Sequence, residues 1–162
     1  MNEVHIEDEA VIDAPVAAVW DEIRDPARHA AWHPFVTGIT GEHGLGATRA
    51  CEVALGKKRG RTRELCVAEE ESRLLAWRIE EDSSGFLRLV SDWTAGFRLE
   101  PVSPSRTRVT AESVFTPRNP LVRLMLPAVR RKFHQAQRAI LSGLEEALDR
   151  AGAQGEGPRW GG

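Results

Sequence analysis

The sequence predicts an α+β fold: a curved antiparallel sheet of about six to seven strands wrapped around a long C-terminal helix, with two short helices after the first strand. Three observations predict it. Between Asn119 and Gly152 apolar residues recur at helical spacing opposite a charged face. From Phe35 to Pro117 short runs alternate apolar and polar residues between turns rich in Gly, Pro, Ser and Asp. No repeat, linker or low-complexity block divides the 162 residues, a length that suits one domain burying about two thirds of its unfolded surface.

In chain order, Val4, Ile6, Asp8, Ala10 and Ile12 alternate with His5, Glu7, Glu9 and Val11, the period of a strand with one wet face. Pro15 suits a first helical turn, and Val16, Val19, Trp20 and Ile23 then repeat at helical spacing, predicting a short helix over 15–24. Asp25-Pro26 breaks it. A second helical segment over 27–32 ends at His33-Pro34, because the residue before proline avoids the α region. Phe35, Thr37 and Ile39 open the strands, and Arg49, Cys51, Val53 and Leu55 share a face after the Gly41–Gly46 turn. Arg63, Leu65 and Val67 are expected inward on the next strand, then Leu75, Trp77 and Ile79. A long strand over 86–100 points Leu87, Leu89, Ser91, Trp93, Ala95, Phe97 and Leu99 one way. Thr107, Val109, Ala111, Ser113 and Phe115 mark the last strand of an antiparallel meander, with the first strand pairing at an edge. Pro127 cannot sit inside a straight helix, so a lead-in over 119–125 and a main helix over 127–150 are expected, with Gly152 as its stop. The expected stripe is Leu121, Leu124, Ala128, Phe133, Ala136, Ile140, Leu144 and Ala147.

The net charge of -2, from 22 basic and 24 acidic residues, offers no electrostatic case for nucleic acid or an anionic membrane. Lys57, Lys58, Arg59, Arg61 and Arg63 form a short basic cluster, expected at a solvated hairpin tip. Cys51 and Cys66 are too far apart for a CxxC motif, and with opposite expected facing they should stay free thiols, as suits a reducing cytosol. MNEVHIEDEA lacks the features of a secretory signal, and no apolar run reaches the ~18 residues a spanning helix needs. A cytoplasmic protein without membrane insertion, monomeric or homodimeric, is expected. Residues 153–162, AQGEGPRWGG, read as a disordered tail in which Trp160 is either exposed or docked on a neighbour.

Several phrases of the sequence resemble the START-like superfamily, specifically its polyketide cyclase/dehydrase and lipid-transport group. They are Val11-Ile-Asp-Ala-Pro15, Val19-Trp20, Asp25-Pro26, Trp32-His-Pro34 and Gly44-Leu-Gly46, then Leu75-Ala-Trp77, Phe97-Arg-Leu-Glu-Pro101 and Thr107-Arg-Val-Thr110. Each is short, but in order and at these spacings they cover nearly the whole chain to residue 150. The resemblance implies a helix-grip fold over 1–152, with a cavity between sheet and helix. It leaves function open, because this scaffold hosts binders, transporters and several kinds of enzyme.

The expected cavity wall is Trp77, Leu89, Ser91, Trp93, Phe97, Val109, Ser113, Phe115, Leu124, Ala128 and Phe133, mostly apolar. For each aromatic taken alone, core packing is the simpler role; collectively they point to a pocket for a small hydrophobic molecule, lipid-like or polycyclic. Ser91 and Ser113 could bond each other, a backbone carbonyl or a ligand. Arg49 and Arg63 fall in the inward frame, where each either snorkels to water or clamps an anion. His33, at the expected cavity mouth, is a candidate general base, although no orienting carboxylate stands at defined spacing. Glu64 and Asp92 are expected to face solvent. No GxSxG, HExxH, paired Cys/His spacing or GxGxxG after a strand is present, so no metal or cofactor is expected. Two principal readings follow: a carrier-like binding module, or an aromatase/cyclase-type or dehydratase-type enzyme using His33, Arg49 or Arg63. A third is an interaction protein with a collapsed cavity.

Overall fold

The computed structural model of the chain describes residues 2–155. Strand β1 (Val4–Ile12) buries Val4, Ile6 and Ile12 and exposes His5, Glu7, Glu9 and Val11, as its alternation requires. Helix α1 (Val16–Arg24) follows Pro15 and buries Val19, Trp20 and Ile23. Asp25 then caps α2 (Pro26–Trp32), its carboxylate accepting from the Ala27 and Arg28 amides at 2.9 and 3.4 Å, while Pro26 pre-sets the first helical φ.

Strands β2 (Val36–Gly41), β3 (Thr48–Leu55), β4 (Lys58–Glu70), β5 (Leu74–Asp82), β6 (Val90–Ser103) and β7 (Arg106–Pro117) form an antiparallel meander. The first strand returns to pair with the last, Val4 opposite Phe115 and Ile12 opposite Thr107, giving the order β1-β7-β6-β5-β4-β3-β2. Helices α3 (Pro120–Leu124) and α4 (Leu126–Gly155) follow, and α4 lies against β1, β7, α1 and α2. Close approach to α2 depends on Gly143, where a Cβ would stand 2.9 Å from the Trp32 carbonyl oxygen. This is the helix-grip arrangement: a seven-stranded antiparallel sheet around a long terminal helix.

The interior is filled by two side-chain clusters. One joins Ile12, Val19, Trp20, Ile23, Trp32, Trp77, Phe97, Val109, Leu141 and Leu144 with their neighbours. The other joins Val4, Ile6, Val90, Phe115 and Val122, with Phe86, Trp93, Leu126, Val129 and Phe133 packed against them.

Four expectations are corrected. Along α3 and α4, Val122, Gln137, Leu141, Leu144 and Leu148 are buried and Leu126, Val129, Phe133, Ala136, Ile140 and Ala147 half-buried, whereas Leu121, Leu124 and Ala128 of the expected stripe are exposed. A five-residue step such as Ala128 to Phe133 rotates about 140° around the axis, so the expected stripe could not stay on one face. The α4 helix also runs through Gly152 to Gly155, past its expected stop; the rest of the expected tail, Trp160 included, lies outside the described residues. On β4 the inward phase belongs to Glu64 and Cys66, and Arg63 is exposed, paired with Glu81 at 3.4 Å. Finally, Phe86–Arg88 forms a 3-10 turn after Gly85, so the long strand starts at Val90 and Leu89 is 38% exposed.

Candidate functional site

The short-helix end of the concave side carries a compact polar group. Capping by Asp25 aims His29, Trp32 and His33 toward the sheet. The His29 Nδ1–H donates to the Ile23 carbonyl at 3.1 Å, which leaves its Nε2 as the lone-pair nitrogen. His33 Nδ1 instead accepts from the amides of Phe35 and Val36, both at 3.1 Å, so its proton sits on Nε2. The two rings stack with centroids 5.1 Å apart. Trp32 Nε1–H donates to the Glu22 carbonyl at 3.0 Å.

Across from them Arg49 is buried on β3. Its Nε and Nη2 donate to Glu64 Oε1 at 3.0 and 2.8 Å, its guanidinium lies 3.7 Å over the Trp77 ring, and Thr62 donates to the other Glu64 oxygen at 2.7 Å. The charge is therefore paired as well as stacked. Burial, then the Arg49 charge, pushes His33 down to about 4, and the same causes hold His29 well below the usual imidazole range. Both rings are neutral at pH 7. A cleft lined by Arg24, Arg49, Cys66 and Trp77 among others encloses about 10 Å³, room for a single water.

At the opposite end an aromatic cluster forms where β6, β7, the 3-10 turn and α4 meet. Phe86 stands 5.0 Å from Trp93, 5.4 Å from Phe115 and 5.5 Å from Phe133, and Trp93 lies 6.0 Å from Phe133. These edge and tilted contacts suit aromatic quadrupoles. Yet the buried Trp93 Nε1–H has no hydrogen-bond partner. One helical turn beyond Phe133, Gln137 donates to Asp8 Oδ2 at 2.8 Å and leaves its own Oε1 buried and unpaired. Asp8 also meets His134 Nδ1 at 2.8 Å and Arg138 Nε at 3.3 Å.

Of the residues expected to line a pocket, Trp77, Trp93, Phe97, Val109, Ser113, Phe115 and Phe133 are buried or half-buried within the two clusters or beside them. Leu124, 80% exposed, points away on the outer side of α3, and Ala128 and Leu89 are likewise exposed. Ser91 pairs with Thr116 and Ser113 with Ala95, a register that separates the two serines. Arg49 and His33 come together and Arg63 does not join them. Glu64, expected to face solvent, instead stands directly opposite Arg49 in the β3–β4 register and pairs with it, and sequence reasoning missed Gln137, which sits at the helical step after Phe133. Cys51 and Cys66 are both buried and free, contrary to their expected opposite facing, with burial pushing the Cys51 thiol up to about 11. Among the described residues no group of three or more His, Cys, Asp or Glu side chains could hold a metal, and no helix is long and apolar enough to cross a membrane.

No curated protein matches the chain. Solved structures of the same fold include the ZhuI aromatase/cyclase from Streptomyces sp. R1128, 19% identical, covering 97% of this chain and 100% of that one with a TM-score of 0.74. A START superfamily protein from Mycobacterium smegmatis is 11% identical over 91% of this chain and 98% of its own, TM-score 0.75. Norcoclaurine synthase from Thalictrum flavum, in complex with dopamine and hydroxybenzaldehyde, is 12% identical over 97% and 90%, TM-score 0.70. Residues 3–149 match the family described as polyketide cyclase / dehydrase and lipid transport. With nearly the whole chain inside that match, and its helix-grip architecture in agreement, the protein belongs to the polyketide cyclase / dehydrase and lipid transport family.

Proposed function

We propose that the chain binds a small hydrophobic molecule with at least one polar group at the aromatic cluster between the sheet and α4. The observation that carries this reading is the unsatisfied Trp93 Nε1–H donor among these rings, with the unpaired Gln137 Oε1 acceptor one helical turn beyond Phe133. Each buried group left unpaired costs about 1–3 kcal/mol, which a ligand offering the complementary atom recovers. The apolar remainder of the ligand gains about 25 cal/mol per Å² on leaving water. The rings pack against one another, so the guest enters by displacing Phe86 and the segment around it. That segment is suited to movement: Gly85 has φ 85°, Asp92 has φ 53°, and the pairing of β6 with β7 shifts between Ser91 and Thr94. A neighbour of the same fold holds dopamine and hydroxybenzaldehyde, small aromatics of the class proposed.

Tryptophan emission tests the reading. Titration with a panel of polycyclic aromatics and fatty acids should shift it, and Trp93→Phe should remove most of the shift. No response across the panel would contradict the proposal. A second reading, aromatase/cyclase-type or dehydratase-type chemistry in the same interior, is favoured by two neutral imidazoles beside Arg49. It differs in predicting that a bound polyketide is converted rather than recovered unchanged.

A further inference from the structure

The short helix α3 has two faces with opposite fates. Val122 is buried in the aromatic-end cluster, while Leu121 is 68%, Leu124 80% and Met125 49% exposed. Positions 121, 124 and 125 lie on one side of a helical turn, so these side chains form a single protruding apolar ridge. Exposed Leu89 lies close by, its carbonyl accepting from the Arg118 amide at 3.0 Å.

The segment that carries the ridge bears charge of one sign. Six of the chain's 22 basic residues and none of its 24 acidic ones fall within 113–144, so the remaining residues carry a net charge of -8. The overall value of -2 conceals this segregation. Arg138 is paired with Asp8, but Arg118 bonds the carbonyls of Leu87 and Val90, and Arg130 bonds that of His5. Bonds to neutral carbonyls fix a guanidinium without cancelling its charge. Arg123, Arg131 and Lys132 are exposed on the same corner.

From this we infer that the α3–α4 corner docks on an anionic lipid membrane, with Leu121, Leu124 and Met125 entering the headgroup boundary and Arg118, Arg123, Arg130, Arg131 and Lys132 facing acidic headgroups. An apolar ridge on a segment that carries six cations and no carboxylate of its own fits that surface on both counts. The acidic remainder of the protein is repelled by the same surface, which sets the orientation. This interaction goes beyond the proposed ligand binding and stands independently of it.

Co-sedimentation of the ligand-free protein with phosphatidylcholine vesicles, with and without phosphatidylserine, is the test. Binding is expected to the phosphatidylserine vesicles and to fall as salt is raised. Joint replacement of Arg123, Arg131 and Lys132 by Gln should weaken it roughly a hundredfold, at about fivefold per cation. Leu121→Ser with Leu124→Ser should weaken it about tenfold, while circular dichroism and the tryptophan titration remain as in the parent. Equal binding to both vesicle types, no binding to either, or binding unchanged in both variants would overturn the inference. So would self-association of the parent that the two Ser substitutions abolish, since the ridge would then belong to a second copy.

Discussion

Glu64→Ala leaves the Arg49 guanidinium without a carboxylate in a place where it cannot reach water freely. The two side chains are 9% and 13% exposed, and two hydrogen bonds join them at 3.0 and 2.8 Å. Removing one partner of such a pair typically costs about 3–5 kcal/mol, because the other charge stays buried. The stack on Trp77, at 3.7 Å, survives the substitution and places the expected loss at the lower end, about 3 kcal/mol. For a chain of this size that corresponds to a fall in Tm of roughly 6–12 °C. Urea denaturation followed by tryptophan emission gives the value directly. Glu64→Leu combined with Arg49→Met removes both charges, and it should be more stable than Glu64→Ala despite carrying the additional change. A loss below about 1 kcal/mol for Glu64→Ala, or a double variant no better than the single one, would refute the picture of a desolvated, interdependent pair.

Acid should destabilise the protein through His33 and His29. Their pKa values are lower folded than unfolded, so the unfolded chain takes up protons first, and stability present above pH 6.5 is lost as pH falls toward about 4. For His33 alone the loss approaches about 3 kcal/mol. His33→Asn keeps a side-chain acceptor for the Phe35 and Val36 amides without the titration, so denaturation midpoints measured between pH 7 and 4 should converge with those of the parent as pH falls. Both thiols should be inert to a disulfide reagent near pH 8 until urea is added, since both are buried with raised pKa values. Gly96→Ala places a Cβ 2.4 Å from the Leu75 carbonyl oxygen and 2.8 Å from the Ala76 Cα, so β5 and β6 must separate. A loss of about 1–3 kcal/mol in the denaturation curve is expected.

Element order was legible in the sequence because each element carries its own local signal: Asp25-Pro26 for α2, alternation for the strands, a charged outer face for α4. Phase was legible only where apolarity decides it. On β5, Leu75, Trp77 and Ile79 leave one choice. On β4, Arg63, Leu65 and Val67 compete with Thr62, Glu64 and Cys66, and the winning set is polar because Arg49 across the register demands a carboxylate. The aromatic cluster was anticipated in Trp93, Phe115 and Phe133, but Leu89 and Ser91 were carried along by an alternation that the positive φ of Asp92 interrupts. Leu124 and Ala128 were misassigned because α3 and α4 were read as one continuous stripe. The Asp8–His134–Gln137 contacts join residues more than 120 positions apart, and no local pattern announces them.

The Trp93 indole N–H offers the most direct view of whether the interior takes a guest. In a ¹H–¹⁵N spectrum of labelled protein, its resonance, assigned by its disappearance in Trp93→Phe, should move downfield on saturation with a polar-headed aromatic ligand as it gains a hydrogen bond. The Trp32 indole, already bonded to the Glu22 carbonyl, should stay nearly still. A ligand that binds while leaving the Trp93 signal in place, with changes confined to exposed residues, would contradict the account.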